Sequence, residues 1–165
     1  MQMGYSQEQS VYDSYVGTWK WTDEKTDSEF VIILKKGHAD LTLFNRGIKE
    51  CIIGVYRYKK NGVIVADNTN EISDIKEYLK YPIVIKMNMQ SIMKLHIIDY
   101  LLKNKSGEYK YMTGSSNVIL AEGSDGTLEM KLAIVDDGYY TYTDDMRVFP
   151  KGTSLPTNIV LTKVE

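Results

Sequence analysis

Residues 128–135 read LEMKLAIV, in which large apolar side chains stand at every even position. Alternate side chains share a face only in a pleated strand, because the side-chain period of a strand is two residues. Residues 123–126 read GSDG, which is typical of a tight turn, and residues 118–121 before that turn are apolar. The pattern predicts a β-hairpin that pairs 117–122 with 127–135.

A second hairpin is predicted around Asn61 and Gly62. Residues 52–58 read IIGVYRY and lead toward this Asn-Gly pair, after which residues 63–66 read VIVA. Asn-Gly tolerates the positive φ angles of a type I′ turn, whose twist matches that of the flanking strands.

The rest of the chain also favours an all-β fold, since Val, Ile, Thr and Tyr suit a half-buried pleated surface. Further strands are expected at 16–22, 29–36, 40–45, 83–89, 92–102, 108–112, 139–143 and 158–164. One short helix is expected near 71–79, capped by Asn70 and ended before Pro82. Roughly eight to ten short strands indicate an antiparallel barrel or a sandwich. Closure into a barrel is favoured because an open sheet leaves unpaired edges.

Composition limits the classes of protein to consider. The 165 residues fit one domain, with a flexible segment expected at 1–12 and a β-barrel domain at 13–165. A formal charge of −2 argues against a nucleic-acid partner. No run of about 18 apolar residues is present, so no transmembrane helix is expected. Cys51 is the single cysteine, and its apolar neighbours favour a buried side chain over a reactive thiol.

The first residues allow two interpretations. They read MQMGYSQ, and small and polar residues of this kind also occur at the end of a secretory signal, whose apolar part would lie upstream of Met1. This interpretation places the protein outside the cytoplasm, in the periplasm, in the envelope or secreted. The alternative is a disordered N-terminus.

Two segments carry a family resemblance. Residues 15–21 read YVGTWKW, which resembles the Gly-x-Trp opening of lipocalin-type barrels. Together with GVYRYKKNG at 54–62 and LPTNIVLTK at 155–163, this opening also resembles an uncharacterised family of exported bacterial proteins. The resemblance implies a lipocalin-like (calycin-type) barrel, with Trp19 packed across its closed end, and export from the cell. It implies no activity.

Three groups of residues are candidates for chemistry, and each has a plainer explanation. Met87, Met89, Met93 and His96 could bind Cu(I), but methionines more often fill irregular cores. The aspartates at 136–137 and 144–145 could form a catalytic carboxylate pair, but aspartates in loops more often only solvate the ends of strands. Ser115 and Ser116 lack the Gly-x-Ser-x-Gly motif, and His38 and His96 lack the spacing of a zinc site. The sequence therefore predicts neither an enzyme nor a cofactor or metal site.

The function favoured by the sequence is the binding of a small apolar or amphipathic ligand within the barrel. An eight-stranded barrel can hold one such ligand, and large amphipathic or flexible side chains suit its walls. The candidate ligand-binding residues are Trp19, Tyr56, Tyr58, Met87 and Met89. The alternative is a packed structural or interaction module of the bacterial cell envelope, with a protein or glycan partner. An enzyme using the aspartates ranks third.

Overall fold

The computed structural model describes residues 11–40, 47–70, 76–77, 81–88, 90–112, 116–136 and 149–164. A helical turn at 11–13 precedes eleven strands. The strands are β1 (Gly17–Asp23), β2 (Ser28–Asp40), β3 (Ile48–Lys60), β4 (Val63–Asp67), β5 (Lys76–Glu77), β6 (Ile83–Met87), β7 (Met93–Lys103), β8 (Tyr109–Met112), β9 (Asn117–Glu122), β10 (Leu128–Ala133) and β11 (Ile159–Lys163).

Eight of these strands form a closed antiparallel barrel in the order β1-β2-β3-β6-β7-β9-β10-β11. The barrel closes where β11 returns to β1, with Trp19 opposite Lys163 and Lys20 opposite Thr162. The short strands β4, β5 and β8 pair with β3, β2 and β7 on the same sides as β6, β1 and β9, beyond the points where those ring strands end. The predicted all-β barrel is confirmed, and its arrangement is consistent with a lipocalin-like barrel.

Both predicted hairpins are confirmed. Asn61 and Gly62 have φ angles of 51° and 79°, the two positive values that a type I′ turn requires. In the other hairpin, β9 and β10 pair from Asn117 opposite Ala133 to Glu122 opposite Leu128.

The remaining strand predictions also agree with the structure where it describes them. The strands expected at 16–22, 29–36, 83–89, 92–102, 108–112 and 158–164 correspond to β1, β2, β6, β7, β8 and β11. Most of the strand predicted at 40–45 and all of that at 139–143 lie outside the described residues. Of the helix predicted near 71–79, the described residues Lys76 and Glu77 form β5, which pairs parallel with β2; the rest lies outside the described residues.

The barrel interior is filled by alternate side chains of its strands. Met130 and Leu132 of β10 are buried while Lys131 between them is exposed, as the alternation predicts. Trp19 is fully buried, and its indole Nε1 donates a hydrogen bond to the Tyr15 carbonyl at 2.8 Å. This bond connects the N-terminal turn to the core. Val11 and Tyr12 lie in the segment 1–12 that was expected to be flexible, but both are part of this turn, and Tyr12 is buried.

The wall of the barrel is uneven between β7 and β9. Within the described residues, the two strands are in register only at Lys94 and Asn117, with one further hydrogen bond from the Leu95 N–H to the Ser116 carbonyl at 3.1 Å. Beyond this point β7 continues along β8 in one direction, while β9 continues along β10 in the other. We call the β7–β9 junction the seam.

Gly54 is required where β3 contacts β2 and β6 at once. A Cβ atom there would lie 2.5 Å from Leu34 Cδ2 and 2.8 Å from the Ile33 carbonyl oxygen, which belongs to the backbone. We expect Gly54→Ala to lower the free energy of unfolding by about 1–3 kcal/mol, the range for an overpacked core. Gly37→Ala is the comparison, because the nearest atoms to its Cβ all belong to the Ile53 side chain, with Cδ1 at 2.6 Å and Cγ1 at 2.8 Å, and a side chain can shift where a backbone carbonyl cannot. Equal losses in urea denaturation of the two variants would contradict this interpretation.

Candidate functional site

Most of the residues that were predicted to bind a ligand have side chains that are buried in the barrel core. Trp19 and Tyr56 are fully buried, and Tyr58 is nearly so. Phe30 packs between the two tyrosines, with ring centroids 5.4 Å from Tyr56 and 5.8 Å from Tyr58. Met87 is half-buried at the end of β6, and Met89 lies outside the described residues. The structure therefore places three of the five in the hydrophobic core of the barrel, two of them in ring contact with Phe30.

The hydroxyl group of Tyr56 has a structural role. The group donates a hydrogen bond to the Ile98 carbonyl at 2.8 Å and accepts one from the Tyr100 N–H at 3.3 Å. A buried hydroxyl that is already satisfied in both directions stabilises the packing between β3 and β7.

A concave surface lies at the seam instead, where β9 separates from the start of β7. This groove has a volume of about 530 Å³. One side is formed by the β6–β7 turn and the start of β7, the second by β9, and the third by the N-terminal turn. Its lining residues are Val11, Ser14, Tyr15, Ser91, Ile92, Met93, Val118, Ile119 and Leu120.

Hydrogen bonds hold the N-terminal side of the groove in place. The Tyr12 hydroxyl accepts a bond from the Met87 N–H at 3.3 Å. Burial raises the pKa of Tyr15, while a hydrogen bond with the backbone of Leu120 acts in the opposite direction. The N-terminal turn is thus attached both to the end of β6 and to β9, on the two sides of β7.

The β6–β7 turn is fixed by one side chain. Asn88 Oδ1 accepts hydrogen bonds from the N–H groups of Gln90 and Ile92, at 2.9 and 3.0 Å. Ser91 adopts a φ of 60°, the left-handed conformation that this tight turn imposes. The groove is therefore largely preformed, as small-molecule sites usually are.

The groove presents aliphatic side chains to solvent and contains no charged lining residue. Ile92 is 43% exposed and Ile119 is 55% exposed, although both are large apolar residues. Ile119 also borders a smaller hollow of about 230 Å³ on the outer face of β9, β10 and β11. Lys131 lies in that hollow, directly opposite both Ile119 and Val160 in the strand register. The apolar surface therefore has a cation at its edge.

No sequence pattern predicted this groove. Ile119 was predicted within a strand, but residues 118–121 are all apolar, so no alternation shows which of them face outward. Only the pairing of β9 with β10, which places Ile119 opposite the exposed Lys131, reveals its position. Ile92 and Tyr15 come together with Ile119 only through the closure of the barrel.

Asp136, one of the aspartates considered for catalysis, is partly exposed and forms an ion pair with the buried Lys110. Its Oδ2 lies 2.8 Å from Lys110 Nζ and accepts a hydrogen bond from the Gly152 N–H at 2.6 Å. Lys110 is 2% exposed and also donates to the carbonyls of Pro150 and Gly152, at 2.7 and 2.6 Å. All three ammonium protons thus have acceptors, and the pair holds the segment before β11. Asp137, Asp144 and Asp145 lie outside the described residues.

Asp99 attaches the same segment from β7. It is fully buried, and its Oδ2 accepts hydrogen bonds from the Ser154 N–H at 2.6 Å and from the Thr153 hydroxyl at 3.0 Å. Asp99 and Lys110 are opposite each other in the β7–β8 register. These two charged side chains together anchor residues 150–154, which is a structural role.

Of the four candidate Cu(I) ligands, Met89 lies outside the described residues, and His96 does not share a face with Met87 and Met93. Met93 is buried in the barrel core, opposite Met87 in the strand register. His96, an odd number of positions away on the same strand, stacks on Tyr111 of β8, with ring centroids 6.3 Å apart. Tyr111 in turn packs against a second cluster, which contains Cys51. Among the described residues no group of three His, Cys, Asp or Glu side chains is placed to hold a metal ion.

Replacing Lys110 tests the anchoring role. Lys110→Met leaves the Asp136 carboxylate and two carbonyls without their cation; since breaking a fully buried pair costs about 3–5 kcal/mol of unfolding free energy and Asp136 is partly exposed, we expect a loss of about 2–3 kcal/mol. Lys59→Met is the matched control, because Lys59 contacts Asp27 at a similar 2.7 Å, but the Asp27 side chain is mostly exposed. We expect a much smaller loss there. Similar losses in the two variants, measured by urea denaturation, would rule out a special role for Lys110.

His96 makes stability depend on pH. Burial, together with the charges of Lys86 and Lys94, lowers its pKa from 6.5 to about 4. Between these values the unfolded chain binds a proton that the folded protein does not, so stability falls as pH falls from 6.5 to 4, by roughly 3 kcal/mol at most. We expect His96→Phe, which keeps a ring against Tyr111, to flatten this part of the curve. Identical pH dependence of unfolding in the wild type and the variant would contradict the assignment.

Comparison with known proteins identifies a family but no characterised relative. No curated protein and no solved structure matches the chain. No helix in the described part of the chain is long and apolar enough to cross a membrane. A family model described as a family of unknown function, DUF6705, matches residues 2–164. Because this match extends over nearly all of the sequence, the chain belongs to the DUF6705 family.

Proposed function

We propose that this protein is an exported, lipocalin-like binding protein for a small amphipathic molecule with an apolar body and an anionic head. The apolar body occupies the groove at the seam, and the head lies toward Lys131. The observation that carries the proposal is the exposure of Ile92 and Ile119 on the two sides of a concave, preformed surface. Export rests on the sequence resemblance and the character of residues 1–7.

The size and lining of the groove support this assignment. Its volume of about 530 Å³ falls within the range of roughly 300–1,000 Å³ typical of small-molecule sites. Binding there would remove apolar surface from water on both partners, at about 25 cal/mol per Å² before ordering costs. Large aliphatic side chains that face solvent in a concavity commonly mark such a site.

The anionic head follows from the position of Lys131. Its side chain is exposed, and no carboxylate of the described residues forms a salt bridge with it. It lies opposite Ile119, so its ammonium group can reach the margin of the groove. A long-chain carboxylate combines the apolar body and the anionic head, which makes a fatty acid the natural probe.

A ligand titration with two variants tests the apolar part of the proposal. We expect a saturated long-chain fatty acid to raise the melting temperature of the wild type. Ile119→Ser should weaken binding about tenfold, since it removes roughly 1.4 kcal/mol of apolar contact. Val164→Ser is the control, because Val164 is 51% exposed but lies outside the groove. A melting temperature that no fatty acid changes would end the proposal.

The head group is tested separately. Lys131→Met keeps most of the apolar stem but removes the charge, and should weaken the fatty acid about tenfold while leaving the corresponding fatty alcohol unaffected. Lys105→Met, in the exposed β7–β8 loop, should change neither affinity. Equal loss of acid and alcohol in Lys131→Met would remove the anionic head from the proposal and keep the groove.

The second candidate function is an interaction module of the cell envelope. The observation that favours it is the packing of Trp19, Phe30 and Tyr56 at the centre of the barrel, all fully buried by the protein's own side chains. A protein that bound no fatty acid or alcohol in the titration would be assigned to this class.

A further inference from the structure

Tyr15 lines the groove at the seam and is held by both of its backbone groups. Its N–H donates a hydrogen bond to the Tyr12 carbonyl at 3.0 Å, and its own carbonyl accepts the bond from Trp19 Nε1 at 2.8 Å. The residue is 4% exposed. The phenol ring is therefore fixed in the wall of the groove and does not turn out into solvent.

The hydroxyl oxygen of Tyr15 accepts a hydrogen bond from β9. The bond with the backbone of Leu120 lowers the pKa of the phenol, and only a donor stabilises a phenolate, so the Leu120 N–H is the group involved. The bonds between β9 and β10 run through the odd-numbered residues of β9, since their hairpin begins with the bond from the Gly123 N–H to the Thr127 carbonyl. Leu120 therefore directs its N–H to the other side, toward β7 and the groove.

The proton of the Tyr15 hydroxyl has no acceptor among the described residues. Tyr56 differs, because its hydroxyl both donates and accepts within the protein. An unbranched apolar chain in the groove would displace water from the Tyr15 proton without replacing the hydrogen bond, which is unfavourable. A ligand with an oxygen acceptor at this point matches the groove better than a plain fatty acid does.

The position of Lys131 indicates where that acceptor lies within the ligand. Leu120, which holds the Tyr15 hydroxyl, is next to Ile119, and Ile119 is directly opposite Lys131. Neighbouring strands are about 4.8 Å apart. The hydroxyl and the ammonium group are thus placed along the same short stretch of β9. A ligand that reaches both has its acceptor a few bonds from its anionic head, as an amide carbonyl beside a terminal carboxylate has.

We propose that the ligand of the groove is an N-acylated amino acid, and that Tyr15 determines this specificity. The acyl chain packs against Ile92 and Ile119, the carboxylate lies toward Lys131, and the acyl carbonyl accepts a hydrogen bond from the Tyr15 hydroxyl. Because this hydroxyl already accepts a bond from Leu120, it is polarised into a stronger donor. The inference rests on the proposed function and narrows its class of ligand.

Two matched ligands test the acceptor. The wild type is titrated with an N-acyl glycine and with the saturated fatty acid that has the same number of chain atoms, so that length and carboxylate are alike. We expect the N-acyl glycine to bind about fivefold more tightly, which is the net effect of one additional hydrogen bond.

Tyr15→Phe removes only the hydroxyl. The variant should bind the N-acyl glycine about fivefold more weakly than the wild type does. It should bind the fatty acid no more weakly, because phenylalanine has no proton that the chain would bury. Tyr109→Phe is the control, since Tyr109 is 42% exposed and lies outside the groove; it should keep the wild-type preference. Circular dichroism and thermal melts establish that each variant is folded.

The outcomes separate this inference from the proposed function. Equal binding of the two ligands by the wild type overturns the inference, as does a preference that Tyr15→Phe retains or a variant that loses affinity for both ligands alike. In each of these cases the groove remains a fatty-acid site. Binding of neither ligand to the wild type overturns both proposals.

Discussion

The pairing of β1 with β11 is the constraint on which the rest of the structure depends. Thr162 Oγ1 reaches the Lys20 carbonyl across 142 residues of sequence, at 3.5 Å, and the Val164 N–H bonds to the Thr18 carbonyl at 2.9 Å. These contacts convert an open sheet into a ring, and a ring has an interior. Alternate side chains of every barrel strand then face the same centre, where Trp19 and Leu161 are both fully buried.

Closure also explains where the surface departs from that of an ordinary soluble domain. A ring has no edges of its own, but its wall is built in pieces: β4 follows β6 along one side of β3, and β8 follows β9 along one side of β7. Each barrel strand must separate from its neighbours at some point to enter a turn, and at the seam this happens while aliphatic side chains still line both strands. Ile92 and Ile119 are therefore exposed on the two sides of the seam.

The sequence predicted the elements well because their signals are local. The alternation around Met130 and the Asn61-Gly62 pair each specify a hairpin within about 20 residues. The family resemblance also implied that Trp19 packs inside the barrel, and Trp19 is fully buried. It could not decide whether Tyr56 would line a hollow interior or fill it, because that depends on how Phe30 and Tyr100 pack around it.

The sequence could not predict the groove or the Lys110–Asp136 ion pair either, because both depend on contacts between residues that are distant in sequence. Lys110 and Asp136 are 26 residues apart and lie on elements that no periodic pattern relates. Asp136 appeared to be one of a pair of acidic residues in a loop, and only the fold reveals the cation that neutralises it. Ile119 lies in the unbroken apolar run 118–121, and such a run does not show which of its side chains face outward.

The long sequence separation between β1 and β11 has a consequence for how the chain reaches this state. During synthesis β1 can pair with β2 at once, but its other side remains open until residues 159–163 have left the ribosome. Contacts between distant parts of a chain are slow to form, because loop-closure entropy is lost before they contribute. Until then the nascent chain exposes apolar surface around Trp19, because β11 does not yet cover it. Such transiently exposed surface is what chaperones bind.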